Sequence, residues 1–273
     1  MDSILVNIGI VGFIILICVS VVFIISHLLK DNSIMDIFYG LIFFVTAFLA
    51  QNITDVRGVL LTLITVCIAL WATRLSTRIF LKNAGHKEDA RYAKWREEWS
   101  KRGRLYFILR SYVQVNLLQG LVILGIMMPF IIAFSRPSEI SPVFAILGFI
   151  VFAVGLSIES IADWQLDKFI ARKKAGTETA TLMTKGLFAY SRRPNYFGET
   201  FIWWGLAIMV LPLPLGWLAL LSPILITYIV TKVTGPMLEQ QFLERYGDEY
   251  RNYMKTTSYF IPKKPRLTPP IAE

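Results

Sequence analysis

Gly186 to Gly205 reads GLFAYSRRPNYFGETFIWWG. Within it Arg192, Arg193, Pro194, Asn195, Tyr196 and Glu199 crowd the start of an apolar run. Proline suits the first turn of a helix, where an N–H has no acceptor to lose. The free amides of that turn and two guanidiniums make an anion site. Basic and aromatic residues at a membrane boundary also serve as lipid anchors, and Tyr190, Tyr196, Trp203 and Trp204 fit that use. Asn195 and Glu199 stand four apart, on one helical face, and Glu199 enters the apolar run. A carboxylate there must face protein interior or water.

Three further groups of residues could do chemistry. Glu159, Asp163 and Asp167 repeat every four residues and form an acidic stripe at the end of another apolar run. Like charges at this spacing repel, so a cation or hydroxyl partner is expected, while Asp167 also reads as a solvated helix extension. Thr234-Gly235-Pro236 marks a kink, after which Glu239, Leu243, Tyr246, Tyr250 and Tyr253 share one side of an amphipathic helix, a pattern that also suits an interfacial helix. Asp36 and Tyr39 open an apolar run near the N-terminus, and Trp71, Arg74 and Arg78 end the next. Snorkelling accounts for Arg78. Arg74 lies deeper and calls for a partner, Asp36 or Glu159.

These residues need a scaffold that sets polar groups at the ends of apolar runs. The chain has 273 residues, of which 55% are hydrophobic, and a mean hydropathy of +0.56. A soluble domain of this size carries more polar residues. The pattern predicts an all-α polytopic membrane protein of about seven transmembrane helices, forming a single domain over 1–262. Spans are expected near 4–26, 34–51, 57–80, 110–134, 141–161, 198–211 and 214–233. The sixth is short, and Pro212-Leu213-Pro214 joins it to the seventh as a hairpin. The first run is too long for a signal-peptide core and lacks a basic segment before it.

The net charge of +9 sits between spans, which argues against nucleic acid. Nine Lys/Arg fall in 81–110, seven in 162–197 and seven in 232–273. The intervening connections hold little beyond Arg57 and Arg136. This asymmetry predicts that the three basic segments are cytoplasmic, with the N-terminus outside and the C-terminus inside. Cys18 and Cys67 lie in apolar runs, so no disulfide framework is expected, and His27 and His86 are too far apart in sequence to suggest a metal site. The proline- and lysine-rich tail, 263–273, reads as extended.

Leu70-Trp71-Ala72-Thr73-Arg74-Leu75, Arg91-Tyr92, Glu159 to Phe169, Ser191 to Glu199 and Gly235 to Glu239 together resemble the bacterial DUF1295 family. That family is related to the C-terminal domain of steroid 5-alpha-reductases, and the resemblance covers about 33–262. Arg193 stands where the family usually has histidine. The resemblance implies an enzyme that uses NADPH to reduce a carbon–carbon double bond conjugated to a ketone in a steroid-like lipid entering from the bilayer. It implies that Asn195 and Glu199 contact the nicotinamide nucleotide and that Asp163 belongs to the same pocket. Arg172, Arg192 and Arg193 are candidates, by their chemistry, to neutralise its phosphates, and Tyr196 and Glu239 complete the expected cofactor-binding set. Steroid reductases have a tyrosine three residues before the arginine that Arg74 resembles, but this chain has Trp71. Their tyrosine–glutamate proton-donating pair does not carry over, and Tyr39, with Asp36 and Arg74, is the catalytic candidate in its place.

The same region is similar to isoprenylcysteine carboxyl methyltransferases, through its Arg-x-Pro-x-Tyr-x-Gly stretch and Tyr246-Gly247. That similarity implies S-adenosylmethionine instead. Asn195, Glu199 and Asp163 together favour the reductase. A non-enzymatic membrane protein is the third alternative, although no internal repeat of the transporter kind is visible. The expected location is the cytoplasmic membrane of a bacterium or the endoplasmic reticulum of a eukaryote.

Overall fold

A computed structural model describes Asp2–Asn83 and Glu88–Arg266; His86 and the tail beyond Arg266 lie outside the described residues. The described chain is all-α, its one extended feature being an isolated parallel bridge between Ser191 and Ser258. Among the described residues, six helices are long and apolar enough to cross a membrane: Ser3–Leu29, Ile34–Thr54, Val59–Asn83, Arg104–Ile126, Pro142–Lys174 and Gly216–Thr256. The protein is an integral membrane protein. Many of its apolar side chains point outward, Phe13 and Leu121 among them, as lipid-facing residues do.

The chain divides into two compact units, Met1–Ala145 with Met209–Ser222, and Ile146–Ile208 with Pro223–Glu273. The first contains α1 (Asp2–Leu29), α2 (Ile34–Thr54), α3 (Val59–Asn83), α4 (Ala90–Ser100), α5 (Arg104–Arg110), α6 (Leu118–Ile126) and α7 (Met128–Ser135). Its core includes Phe43, Ile64, Trp71, Phe130 and Phe134. The second is built on α8 (Pro142–Lys174, from Ile146 onward), α9 (Pro194–Val210), most of α10 (Leu221–Tyr228) and α11 (Thr234–Thr256). Phe152, Trp203, Leu206 and Tyr250 are buried in it.

Three expected spans take a different form. The run 110–134 is not one straight helix. It joins α5 through a π-helical stretch, Ser111–Leu117, to α6, and breaks at Met127 (φ −77°, ψ 4°) before the fully buried α7. Pro129 supplies the reason, since it cannot donate to a carbonyl in the preceding turn. The expected sixth span is α9, whose 17 residues fall short of the roughly 20 that cross a bilayer. The expected kink at Gly235-Pro236 is absorbed by a π-helical turn, Ile229–Val233, and the helix runs on through α11 to Thr256. Pro236 denies its N–H to the turn before it, and the nearby Val230 carbonyl accepts the Tyr259 hydroxyl at 2.7 Å. A Cβ on Gly235 would lie 1.5 Å from the Tyr259 oxygen, so only glycine admits that tyrosine. The true break in α11 is at Gly247 (φ 53°, ψ −125°).

Candidate functional site

The second unit owes its register to four glycines. Gly148 and Gly155 on α8, and Gly198 and Gly205 on α9, each stand seven apart. A Cβ on Gly198 would lie 2.6 Å from the Glu159 nitrogen and 2.7 Å from the Gly155 carbonyl. One on Gly205 would lie 2.6 Å from the Gly148 carbonyl. The helices therefore cross antiparallel with their backbones touching, and a side chain at Gly155, Gly198 or Gly205 forces them apart. This crossing was not foreseen from the sequence. The seven-residue glycine spacing in two apolar runs was the signal that could have found it.

The crossing lines up the predicted polar residues. Glu159 lies beside Gly198, and Asp163, one turn further along α8, comes level with the first turn of α9 at Pro194 and Asn195. Glu159 and Asp163 are buried, whereas Asp167 is exposed. Asn195, Tyr196 and Glu199 are half-buried at the α9 end. Two carboxylates withdrawn from water, close to a helix N-terminus, are costly unless they hold donors or a proton.

Arg193 precedes α9. Its carbonyl accepts the first helical bond, from Phe197 at 3.2 Å, and its own N–H donates to the Ser191 hydroxyl at 3.1 Å. Its guanidinium carbon lies 4.7 Å from the Phe242 ring centre and 5.9 Å from that of Tyr196. Its Nε and Nη2 are buried without a hydrogen-bond partner among the described residues. A half-buried cation with donors to give, beside the first turn of a helix, is suited to an anion.

Arg192, the adjacent residue, is used quite differently. Its Nη2 donates to Glu239 Oε2 at 2.6 Å and its Nε to Oε1 at 3.4 Å. Nη1 donates to the Thr257 carbonyl at 2.5 Å and to the Met254 carbonyl at 3.2 Å. The Tyr250 hydroxyl donates to the same Glu239. Arg192 and Glu239 were both expected to bind the cofactor, but here they hold each other. A buried charge demands a partner, and these two supply it mutually. Arg172 is likewise engaged, pairing with Glu178 at 3.0 Å on the surface.

The clamp fastens a strap that the sequence did not announce. Arg192 N–H donates to the Ser258 carbonyl at 2.8 Å, Ser191 Oγ to the Phe260 carbonyl at 2.8 Å, and Lys263 N–H to the Tyr190 carbonyl at 2.9 Å. The Tyr253 hydroxyl donates to the Phe188 carbonyl at 2.5 Å, and Gln165 on α8 accepts from Leu187 N–H at 2.9 Å. The expected interfacial helix thus packs its tyrosine side against the segment leading into α9. Tyr246, Tyr250 and Tyr253 were visible as one helical side, but their partners lie far away in sequence.

In the first unit, Asp36 sits in the first turn of α2 and accepts the Tyr92 hydroxyl at 2.7 Å and Arg91 Nη2 at 3.4 Å. Asp89 caps α4 through Arg91 N–H at 2.9 Å and also pairs with the Arg91 side chain at 3.0 Å. Burial, then the charge and hydrogen bond of Asp36, push the Tyr92 hydroxyl well above its ordinary pKa. Burial raises the Asp89 carboxyl, but the hydrogen bonds and charge of Arg91 outweigh it and hold the group below its ordinary pKa. Tyr39 meets Phe43 edge-on with ring centres 5.3 Å apart, and Phe43 meets Trp71 in the same manner at 5.2 Å. Trp71 is a core residue. Arg74 is half-buried on α3. The spacing of Arg91 and Tyr92 does not reveal this grouping, because their partner Asp36 lies more than 50 residues away in sequence.

No curated protein and no solved structure matches the chain. The family described as Protein of unknown function (DUF1295) matches residues 22–257. With the match covering most of its length, the chain belongs to the DUF1295 family.

Proposed function

We propose that the protein is an NADPH-dependent membrane reductase acting on a conjugated carbon–carbon double bond in a steroid-like or other lipid enone. The observation that carries this reading is the polar end of the α8–α9 crossing. There the buried Glu159 and Asp163 lie level with Asn195 and Glu199, and Arg193 brings uncommitted guanidinium donors to the α9 N-terminus. The donor set fits a dinucleotide. Arg193 and the amides of Asn195 and Tyr196 suit phosphates, while Asn195, Glu199 and Asp163 suit the hydroxyl and amide groups of ribose and nicotinamide. When bound, NADPH supplies a hydride for the electron-poor alkene carbon. Polarising the carbonyl and protonating the neighbouring carbon also need an acid.

Thermal stability of the purified protein with NADPH, NADH, S-adenosylmethionine or no ligand tests the reading, because a ligand of the native state raises stability. A rise with NADPH is expected. A rise with S-adenosylmethionine alone would turn the reading to a methyltransferase, and no rise with any of them would remove the nucleotide site. Asn195→Ala and Glu199→Ala are expected to weaken NADPH binding on the order of tenfold or more, at a loss of one to two hydrogen bonds to a buried ligand. Because Arg192 is committed to Glu239, discrimination of a 2′-phosphate falls to Arg193. Arg193→Ala should weaken NADPH more than NADH, and equal losses would cancel that role.

A further inference from the structure

We propose that the boundary at Arg102, Tyr106 and Arg110 binds the headgroup phosphate of an anionic phospholipid. Tyr106 and Arg110 stand one turn apart on the membrane-crossing helix Arg104–Ile126, and Arg102 precedes that helix in the turn after α4. Arg102 Nη1 donates to the Tyr106 oxygen at 3.2 Å, and Arg110 Nε donates to the same oxygen at 3.1 Å. Their guanidinium carbons lie 5.3 Å and 5.7 Å from the Tyr106 ring centre.

Two like charges thus converge on one neutral phenol. A phenol oxygen cannot offset two cations, and neither arginine has a carboxylate at ion-pair distance among the described residues. Each arginine retains most of its five N–H donors for another acceptor. A phosphate lying between them would take charge-assisted bonds from both guanidiniums and relieve their repulsion.

The neighbouring stripe identifies the source of that phosphate. Leu105, Leu109 and Val113 are 70%, 53% and 52% exposed and are likewise spaced by four, one position away from the basic face. Acyl chains can lie along this stripe while the headgroup sits at Tyr106. A free phosphate has no use for it. A lipid with net negative charge answers the two arginines better than a zwitterionic one, whose phosphate is already balanced by its own ammonium. This proposal does not depend on the reductase reading.

The test uses the full-length protein in nanodiscs of phosphatidylcholine with or without phosphatidylglycerol, with bound lipid counted by native mass spectrometry. The wild type is expected to retain phosphatidylglycerol preferentially, and Arg102→Gln/Arg110→Gln to lose that preference on the order of tenfold. Lys94→Gln/Arg104→Gln removes the same charge from exposed positions nearby and should leave the preference intact. An equal loss in both double variants would overturn a defined site, as would full retention by Arg102→Gln/Arg110→Gln. Displacement of the lipid by millimolar inorganic phosphate would show a free-anion site and overturn the lipid assignment. If the double variant fails to fold, Arg102→Gln alone serves, since Arg102 is exposed, with a smaller loss expected and none overturning the proposal.

Discussion

The two units each join an arginine, a carboxylate and a tyrosine, and use the trio differently. In the first, Arg91 reaches Asp36 at 3.4 Å with side chains 46% and 27% exposed, and Tyr92 completes the group. In the second, Arg192 meets Glu239 at 2.6 Å with side chains 8% and 12% exposed, and Tyr250 completes the group. Water screens the first pair and lets either partner find another. Little water reaches the second, so both charges must stay paired and the backbone around them is held. The same three residue types therefore make an adjustable contact in one place and a clamp in the other.

Substitutions that separate the two settings rank by burial. Arg192→Ala should have the largest effect, about 3–5 kcal/mol of stability, because Glu239 is left charged and buried while the Thr257 and Met254 carbonyls lose their donor. A detergent melt of this variant no lower than that of Arg91→Ala would break the comparison. Tyr250→Phe removes one hydroxyl bond to the buried Glu239 and should cost about 1.5–3 kcal/mol. Limited proteolysis should then cut the 257–263 strap sooner than in the wild type, and an unchanged cleavage rate would detach the tyrosine from the clamp.

Tyr92 sharpens the other side of the comparison. Its pKa is raised in the fold, so an unfolded chain releases this proton near the ordinary tyrosine value of about 10 while the folded chain keeps it. Its contribution is therefore whole below about pH 10 and is lost as pH rises beyond that. The melting-temperature difference between wild type and Tyr92→Phe should narrow from pH 9 to pH 11, and a constant difference would deny the buried neutral phenol. Arg91→Ala should cost no more than about 1 kcal/mol, as exposed pairs do. The smallest expected effect belongs to Asp89. Its pKa is lowered, so its contribution is present above about pH 3.9 and fades as pH falls below that. Asp89→Asn should flatten that acid limb, and an unchanged limb would place the acid sensitivity elsewhere.

Long apolar runs, charge confined between them, and Pro194 at a helix start were legible in the sequence because each obeys a local rule. So was the grouping of Asn195 with Glu199 and of Glu159 with Asp163, since four residues of helix put two side chains on one face. Arg192 and Arg193 were not distinguishable in this way. They are adjacent and chemically identical, and only the approach of α11 and residues 254–260 commits one to Glu239 while leaving the other with buried donors.

By itself the sequence determined that the chain is helical and membrane-embedded, and which polar residues stand at the ends of its apolar runs. Helix formation and membrane partition follow from local composition and periodicity, which read along the chain. The tertiary structure alone decided which polar residues meet. Glycine contacts set the α8–α9 register, Pro236 is absorbed by a π-helical turn that Tyr259 supports, and a strap some 65 residues distant claims Arg192. Such pairings depend on distances between helices and on the removal of water from particular charges, and neither is written in the spacing of residues along one helix.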